Sequence, residues 1–289
     1  MALINLETVL GHAAANRYAV GAFNVINLDF LEAIVKAARA RRSPVILNIA
    51  EVHFPYVTLE HICPAIRVMA EESSVPMVLH LDHGRSLDTI IRALRNGFTS
   101  VMFDGSRLPY EENVRQTAEV VGICHAVNVS VEAELGAVGG DEGGGVVATA
   151  NPDLYTDAEQ AQDFVRRTGI DALAVAIGNV HGQYKGKPQL DFVRLGHIRE
   201  ASGIPLVLHG GSGIPDDDFR RAISLGIAKI NFYTGMSQAA LEATAQAMRN
   251  ASQGYNDYPD LISHVARKVQ AVVERQIDVF GSGNVRGQA

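Results

Sequence analysis

The chain has 289 residues, 47% of them hydrophobic, and a formal net charge of -7. That supplies a large core, and the length suits one closed α/β barrel spanning residues 1–289 without requiring a second domain. The acidic balance excludes the basic footprint of a nucleic-acid binder, so an anionic ligand would need a local positive site.

Short β-branched runs, each followed by a longer stretch with helical spacing, recur from one end to the other and predict parallel strands joined by crossover helices. Strands are expected over 19–25, 44–50, 76–82, 100–104, 129–135, 171–177, 205–209 and 229–234. Eight of them suggest closure into a (β/α)8 TIM barrel. A Rossmann sheet is disfavoured because no Gly-x-Gly-x-x-Gly follows the first strand. Between the fifth and sixth strands, the segment 136–145 is dense in glycine and reads as a mobile loop over a site. Beyond the last strand, 236–280 reads as a C-terminal helical extension suited to assembly. Cys63 and Cys124 sit in apolar surroundings without ligand-like spacing and read as buried reduced thiols. The opening residues lack the basic start and apolar stretch of a signal peptide, and no apolar run reaches the ~18 residues that span a bilayer, so a cytoplasmic protein without membrane contact is expected.

Active sites of such barrels lie at the C-terminal face, which makes polar residues closing apolar strands the first candidates. Strand three ends Leu81-Asp82-His83-Gly84, strand six leads into Asn179-Val180-His181-Gly182, and strand seven ends Leu208-His209-Gly210-Gly211. A single histidine there is more often a hydrogen-bonded barrel residue than a ligand. Three at corresponding strand ends point to one divalent ion, since catalytic zinc keeps three protein ligands and one open position. His80 lies inside its strand and reads as a core residue, whereas His53, just past strand two, lies within reach of a substrate. Asp82, Asp104, Glu132 and Glu134 follow the same geography. The two glutamates, two residues apart, share one face of their strand. A helix cap for Asp104 and a buried ion pair for the glutamates stand beside the functional reading. Gly210-Gly211-Ser212-Gly213 and Asn231-Phe232-Tyr233-Thr234-Gly235 occupy the loops after strands seven and eight, where barrels commonly cradle phosphate.

With these residues in place, the chain resembles the class II, metal-dependent fructose-bisphosphate and tagatose-bisphosphate aldolases. The resemblance rests on Gly21-Ala22-Phe23-Asn24, Leu81-Asp82-His83, Glu132-Ala133-Glu134-Leu135-Gly136, Tyr155-Thr156-Asp157, Asp171 to Gly178, His181-Gly182 and Leu208 to Gly213. It implies that His83, His181 and His209 hold a catalytic zinc ion, with Asp104 and Glu134 at an alternative or second metal site. It further implies Asp82 as the catalytic proton donor and Glu142, on the glycine-rich loop, as the group handling the proton at the enediolate carbon. Gly182, Gly210, Gly211, Ser212, Asn231, Phe232, Tyr233 and Thr234 would bind the phosphate of a dihydroxyacetone phosphate unit, and Asn24 its reacting end. A monovalent cation on loop carbonyls and a homodimer or homotetramer also belong to the family pattern.

Departures fall at the far end of the substrate. Bisphosphate aldolases usually carry Asp-Pro-Arg in the C-terminal extension to hold the distal phosphate, but this chain has Asp257-Tyr258-Pro259-Asp260. Ala50 stands where a hydroxyl is usual, followed by Glu51-Val52-His53, and Phe232-Tyr233 replace small or acidic residues. The expectation is a ketose 1-phosphate, cleaved reversibly to dihydroxyacetone phosphate and an aldehyde, with a ketose bisphosphate as the variant reading. A zinc hydrolase on the same barrel and a non-catalytic stabilising subunit are the competing functions. A Schiff-base aldolase is disfavoured because Lys229 begins strand eight at the wrong end and Lys185 and Lys187 read as solvated.

Overall fold

The computed structural model describes residues 3–140, 147–251 and 257–285. Its strands are β1 (Val20–Asn24), β2 (Val45–Ala50), β3 (Met77–Gly84), β4 (Ser100–Phe103), β5 (Ser130–Leu135), β6 (Val147–Ala148), β7 (Ala172–Val175), β8 (Gln183–Tyr184), β9 (Leu206–Leu208) and β10 (Ile227–Phe232). All but β6 and β8 join one closed parallel barrel in the order β1-β10-β9-β7-β5-β4-β3-β2, as the eight apolar runs predict. The short β6 and β8 pair with each other above it.

Several strand ends shift by a residue or two from the sequence expectation, and two of them have a local hydrogen-bonding reason. The sixth predicted strand stops at Val175 because the amides of Ala176 and Ile177 leave the ladder, donating to Thr156 Oγ1 at 2.8 Å and Asn179 Oδ1 at 2.8 Å. The third runs on to Gly84, with His83 in the left-handed region at φ 49° and the Gly84 carbonyl accepting from Asp104 N at 2.9 Å. That uncommon backbone turn aims the imidazole into the barrel mouth instead of along the pleat.

The helices are α1 (Leu6–Asn16), α2 (Leu28–Arg41), α3 (Leu59–Glu71), α4 (Leu87–Arg95), α5 (Tyr110–His125), α6 (Ala158–Thr168), α7 (Phe192–Ser202), α8 (Asp216–Ser224), α9 (Thr234–Ala251) and α10 (Tyr258–Phe280). Asn27 starts α2 by accepting from Phe30 N at 2.8 Å, and Arg42 ends it in the left-handed conformation. In α1, Leu6, Val9, Leu10 and Ala13 recur at helical spacing and are buried against Val20, Ala22, Ile46, Val78, Met102, Val207 and Ala228. This helix therefore stoppers the N-terminal end of the lumen. Each large side chain it buries is worth roughly 1.5–3 kcal/mol.

The C-terminal segment is helical, as the sequence predicts, and it also packs back on the barrel. α10 lies against α2, α8 and β1, so it completes the outer ring of helices where the barrel closes. α9 is the arm that carries the chain out and back, and it leaves Leu241 and Met248 exposed. Residues 252–256 between them lie outside the described residues. Cys63 and Cys124 are free, buried thiols, and burial pushes both up to about 12. No helix among the described residues is long and apolar enough to cross a membrane.

Candidate active site

His83, His181 and His209 meet at the C-terminal mouth as the strand-end argument predicts. His83 Nε2 stands 3.2 Å from His181 Nε2 and 3.0 Å from His209 Nδ1, and all three residues are buried. Carboxylates hold the outward nitrogens of two of these rings: His83 Nδ1 lies 2.9 Å from Asp104 Oδ2, and His209 Nε2 lies 2.8 Å from Glu132 Oε1. A ring whose outer nitrogen donates to a carboxylate turns a lone pair inward. Inward lone pairs crowded this closely repel one another, and a cation is what such a cluster fits. Burial, reinforced by the neighbouring imidazoles, pushes His181 well below the ordinary histidine value, and burial also lowers His209 against the opposing Glu132 bond. Neutral imidazoles are the ligating form.

Glu132 anchors a second layer beneath this cluster. Its Oε2 receives Lys229 Nζ at 2.7 Å, and Lys229 Nζ lies 3.2 Å from His80 Nε2, whose Nδ1 meets Ser100 Oγ at 2.8 Å. Lys229, Glu132 and His80 are all 0% exposed. Burial pushes Glu132 up, but the Lys229 charge and the His209 bond outweigh it and bring the carboxyl down to about 2. The buried-pair reading of Glu132 is thus what the geometry gives, and His80 is a satisfied core residue. The strand bearing Lys229 begins at Ile227, so the lysine is not its first residue but a lumen residue below the histidines, ion-paired and away from the mouth. Lys185 and Lys187 are exposed.

Asp82 is 0% exposed and is held from both sides by amides: Asn48 Nδ2 donates to Oδ2 at 2.9 Å and Asn231 Nδ2 to Oδ1 at 3.0 Å. Asn231 Nδ2 also lies 3.2 Å from His209 Nδ1, which ties the carboxylate to the histidine cluster. Asn24 sits on the same network, its Oδ1 accepting from Asn48 Nδ2 at 3.0 Å. Sequence reasoning missed Asn48. The available signal was a lone amide inside the apolar run Val45-Ile46-Leu47-Asn48-Ile49-Ala50.

Asp104, Glu134 and His83 form a second group whose ligand atoms lie within 4.8 Å of one another. Burial acts to raise Asp104, but the bond and charge of His83 and the bonds from Ser106 hold it below the usual carboxylate range. Glu134 is the opposite case. Burial and the nearby Asp104 charge push it from 4.5 up to about 8, and its Oε2 is sealed without a hydrogen-bond partner among the described residues. A carboxyl raised on folding stabilises the native state below its unfolded value and loses that contribution as pH climbs through its folded value. Chelator-treated protein should therefore lose stability between about pH 4.5 and 8 relative to a Glu134→Gln variant. Thermal midpoints of the two proteins across that range check this, and parallel pH profiles would refute it.

The two predicted phosphate loops close on one small hollow lined by His181, Gly182, Gly210, Gly211, Ser212, Asn231, Tyr233 and Thr234. Gly210 adopts φ +65°, and a Cβ there would run into the Val180 carbonyl. Ser212 Oγ accepts from Gly235 N at 2.9 Å, fastening the hollow to the first turn of α9, whose free amides favour an anion. Phe232 does not line this hollow. Its ring packs edge-on against Phe23 at 6.4 Å, in the layer between barrel and helices. On the other side of His181 a cavity of about 590 Å³ opens, walled by Glu51, Val52, His53, Tyr56, Arg85, Ser106 and Arg107 as well as His83, Asp104 and Glu134. Glu142 lies outside the described residues.

The profile of the family described as Fructose-bisphosphate aldolase class-II matches residues 4–285. The fructose-bisphosphate aldolase of Geobacillus stearothermophilus is 42% identical over 295 aligned residues, covering 100% of both chains. That of Staphylococcus aureus (strain Mu50 / ATCC 700699) is 40% identical, covering 98% of this chain and 99% of its own. Among solved structures, the YdjI aldolase from Escherichia coli K12 superposes with a TM-score of 0.87 at 37% identity over 98% of each chain. Fructose-bisphosphate aldolase from Campylobacter jejuni, at 24% identity and a TM-score of 0.84, shares the barrel. With a histidine cluster of the kind a metal-dependent family requires and a match along nearly its full length, the chain belongs to the class-II fructose-bisphosphate aldolases and is a lyase.

Proposed function

We propose that the chain is a zinc-dependent aldolase that cleaves a ketose 1-phosphate reversibly to dihydroxyacetone phosphate and an aldehyde. The observation that carries this reading is the inward convergence of three imidazoles beside Asp82, with a small glycine-lined hollow next to His181. His83, His181 and His209 would hold the ion, which when bound supplies Lewis-acid stabilisation for the electron pair left by carbon–carbon cleavage. The hollow at Gly182, Gly210 to Ser212, Asn231, Tyr233 and Thr234 fixes the phosphate of the three-carbon unit. Asp82, steadied by Asn48 and Asn231, takes the proton from the hydroxyl on the departing carbon and returns it during condensation. Asn24 positions the reacting end through Asn48, and Glu142 handles the proton on the three-carbon unit.

The far end supports the ketose 1-phosphate. α10 opens on Asp257-Tyr258-Pro259-Asp260, with Asp257 capping Tyr258 N at 2.8 Å and no arginine among those four residues. Arg85 and Arg107 on the cavity wall favour a second reading, a ketose bisphosphate, which the names of the relatives share. A cleavage assay comparing matched ketose 1-phosphates and 1,6-bisphosphates, before and after chelation, is the test. Expected are a preference for the 1-phosphates, loss of activity with chelator and recovery with zinc. A clear preference for fructose or tagatose bisphosphate would overturn the substrate, and activity that survives complete metal removal would overturn the mechanism. Release of dihydroxyacetone phosphate also separates this reading from a water-consuming hydrolase and from a stabilising subunit, neither of which the family match supports. The reading takes residues 1–289 as one domain in a cytoplasmic homodimer or homotetramer, for which the exposed Leu241 and Met248 of α9 offer apolar surface.

A further inference from the structure

His53 follows β2 in a single turn of tight helix spanning Glu51–His53. It is 3% exposed, yet neither Nδ1 nor Nε2 has a hydrogen-bond partner among the described residues. Three other buried histidines differ, His80 being bonded to Ser100 and Lys229, His83 to Asp104 and His209 to Glu132, while His181 meets His83. A buried polar atom left unpaired costs about 1–3 kcal/mol, and a native fold retains such an atom where something outside the chain completes it. Barrel stability does not require this imidazole, because an apolar side chain of similar size would fill the space without that cost.

Its surroundings specify the ligand. The ring forms part of the wall of the 590 Å³ cavity and packs edge-on against Tyr233 at 4.7 Å, the tyrosine that also lines the phosphate hollow. Burial lowers its proton affinity while the Asp82 charge acts to raise it, so His53 is neutral at neutral pH and lies within the field of the proposed proton carrier. A neutral imidazole has one N–H and one lone pair, which is the complement of an alcohol and a poor match for a phosphate dianion. The residue lines the cavity while both nitrogens are shielded from solvent. The soft terminal torsion of a histidine lets the ring turn toward an incoming group at little cost. Because the phosphate is accommodated in the separate hollow beyond His181, the large cavity receives the aldehyde half of the substrate.

We propose that His53 is a specificity-determining residue that hydrogen-bonds a hydroxyl of the aldehyde half of the substrate. This rests on the aldolase reading above. The family resemblance assigns no role to position 53, and the usual strand-end hydroxyl three residues earlier is absent, with Ala50 in its place.

The test uses the zinc-loaded enzyme in the condensation direction, with dihydroxyacetone phosphate and three acceptors: glyceraldehyde, lactaldehyde and propanal, the last lacking any hydroxyl. Exchange of the dihydroxyacetone phosphate proton with solvent deuterium is followed in parallel, since it uses the metal and phosphate sites but no aldehyde. The wild type should prefer the hydroxylated aldehydes over propanal. His53→Ala should reduce that preference at least tenfold, and the ratio of condensation to exchange should fall with it. His53→Asn, which keeps a donor and an acceptor on a shorter arm, should hold a larger share of the preference than alanine. An unchanged preference in His53→Ala, or loss of exchange in step with condensation, would overturn the role. A wild type that exchanges the proton but ignores the hydroxyl overturns this inference alone, whereas one that neither exchanges nor condenses overturns the aldolase reading as well.

Discussion

Asp82→Asn is expected to lower kcat by about 10²–10⁴-fold, the range supplied by a positioned proton donor, while the purified protein still binds zinc. The substitution is nearly isosteric, so its effect isolates proton transfer. Its tolerance follows from the local hydrogen bonds. Asn48 Oδ1 and Asn231 Oδ1 are sealed and have no hydrogen-bond partner among the described residues, so either amide can turn over and accept from the new side-chain N–H₂. Metal stoichiometry together with steady-state kinetics checks both halves of the statement. A kcat within tenfold of wild type would remove Asp82 from the mechanism, and loss of the metal would make it a structural support for the histidine cluster.

Lys229→Met is the second variant with a large expected effect, and it acts on stability and metal together. Without the ammonium, Glu132 becomes a fully buried carboxylate facing His80 and His209 alone, a loss that typically costs about 3–5 kcal/mol. Because Glu132 holds the outer nitrogen of His209, zinc affinity should also weaken, by about 10–100-fold. Glu132→Gln should show the same pair of defects. The double variant should recover much of the stability, because it no longer buries a lone charge, but not the affinity. Denaturant unfolding and competitive metal titration of the three proteins measure the coupling. Single variants within about 1 kcal/mol of wild type would show that the pair contributes little.

How much of this was legible before folding depends on whether the signal was local. The barrel strands were, because each is a short β-branched run bounded by turn residues. The histidine triad was too, because His83, His181 and His209 stand in corresponding positions next to glycine, and chain geometry alone brings the C-terminal strand ends together. Contacts set by register across the lumen were not. Lys229 and Glu132 are 97 residues apart, and only the closed strand order puts one opposite the other. Asn48 reaches Asp82 because β2 and β3 align Ala50 with Asp82, an alignment no spacing in the sequence reveals. The role of α1 was hidden for a different reason. Its apolar stripe is ordinary for a surface helix, and nothing local distinguishes a helix lying on a sheet from one stoppering a barrel. That α10 also packs against α2, α8 and β1 is not legible in the sequence, because the long α9 intervenes before it. His53 was visible only as a residue within reach, since the lack of a partner is a property of the packed structure.

The two cavities that meet at His181 draw on different parts of the chain. The histidines, Asp82 and the phosphate hollow come from β3, β10 and the turns after β7 and β9, whereas the outer wall of the large cavity comes mostly from the short segments after β2, β3 and β4. On the proposed reading, chemistry and choice of aldehyde are thus written on separate stretches of sequence. Exchanging residues 51–56 between barrels of this kind is then expected to change the aldehyde accepted while the histidine cluster still binds its metal.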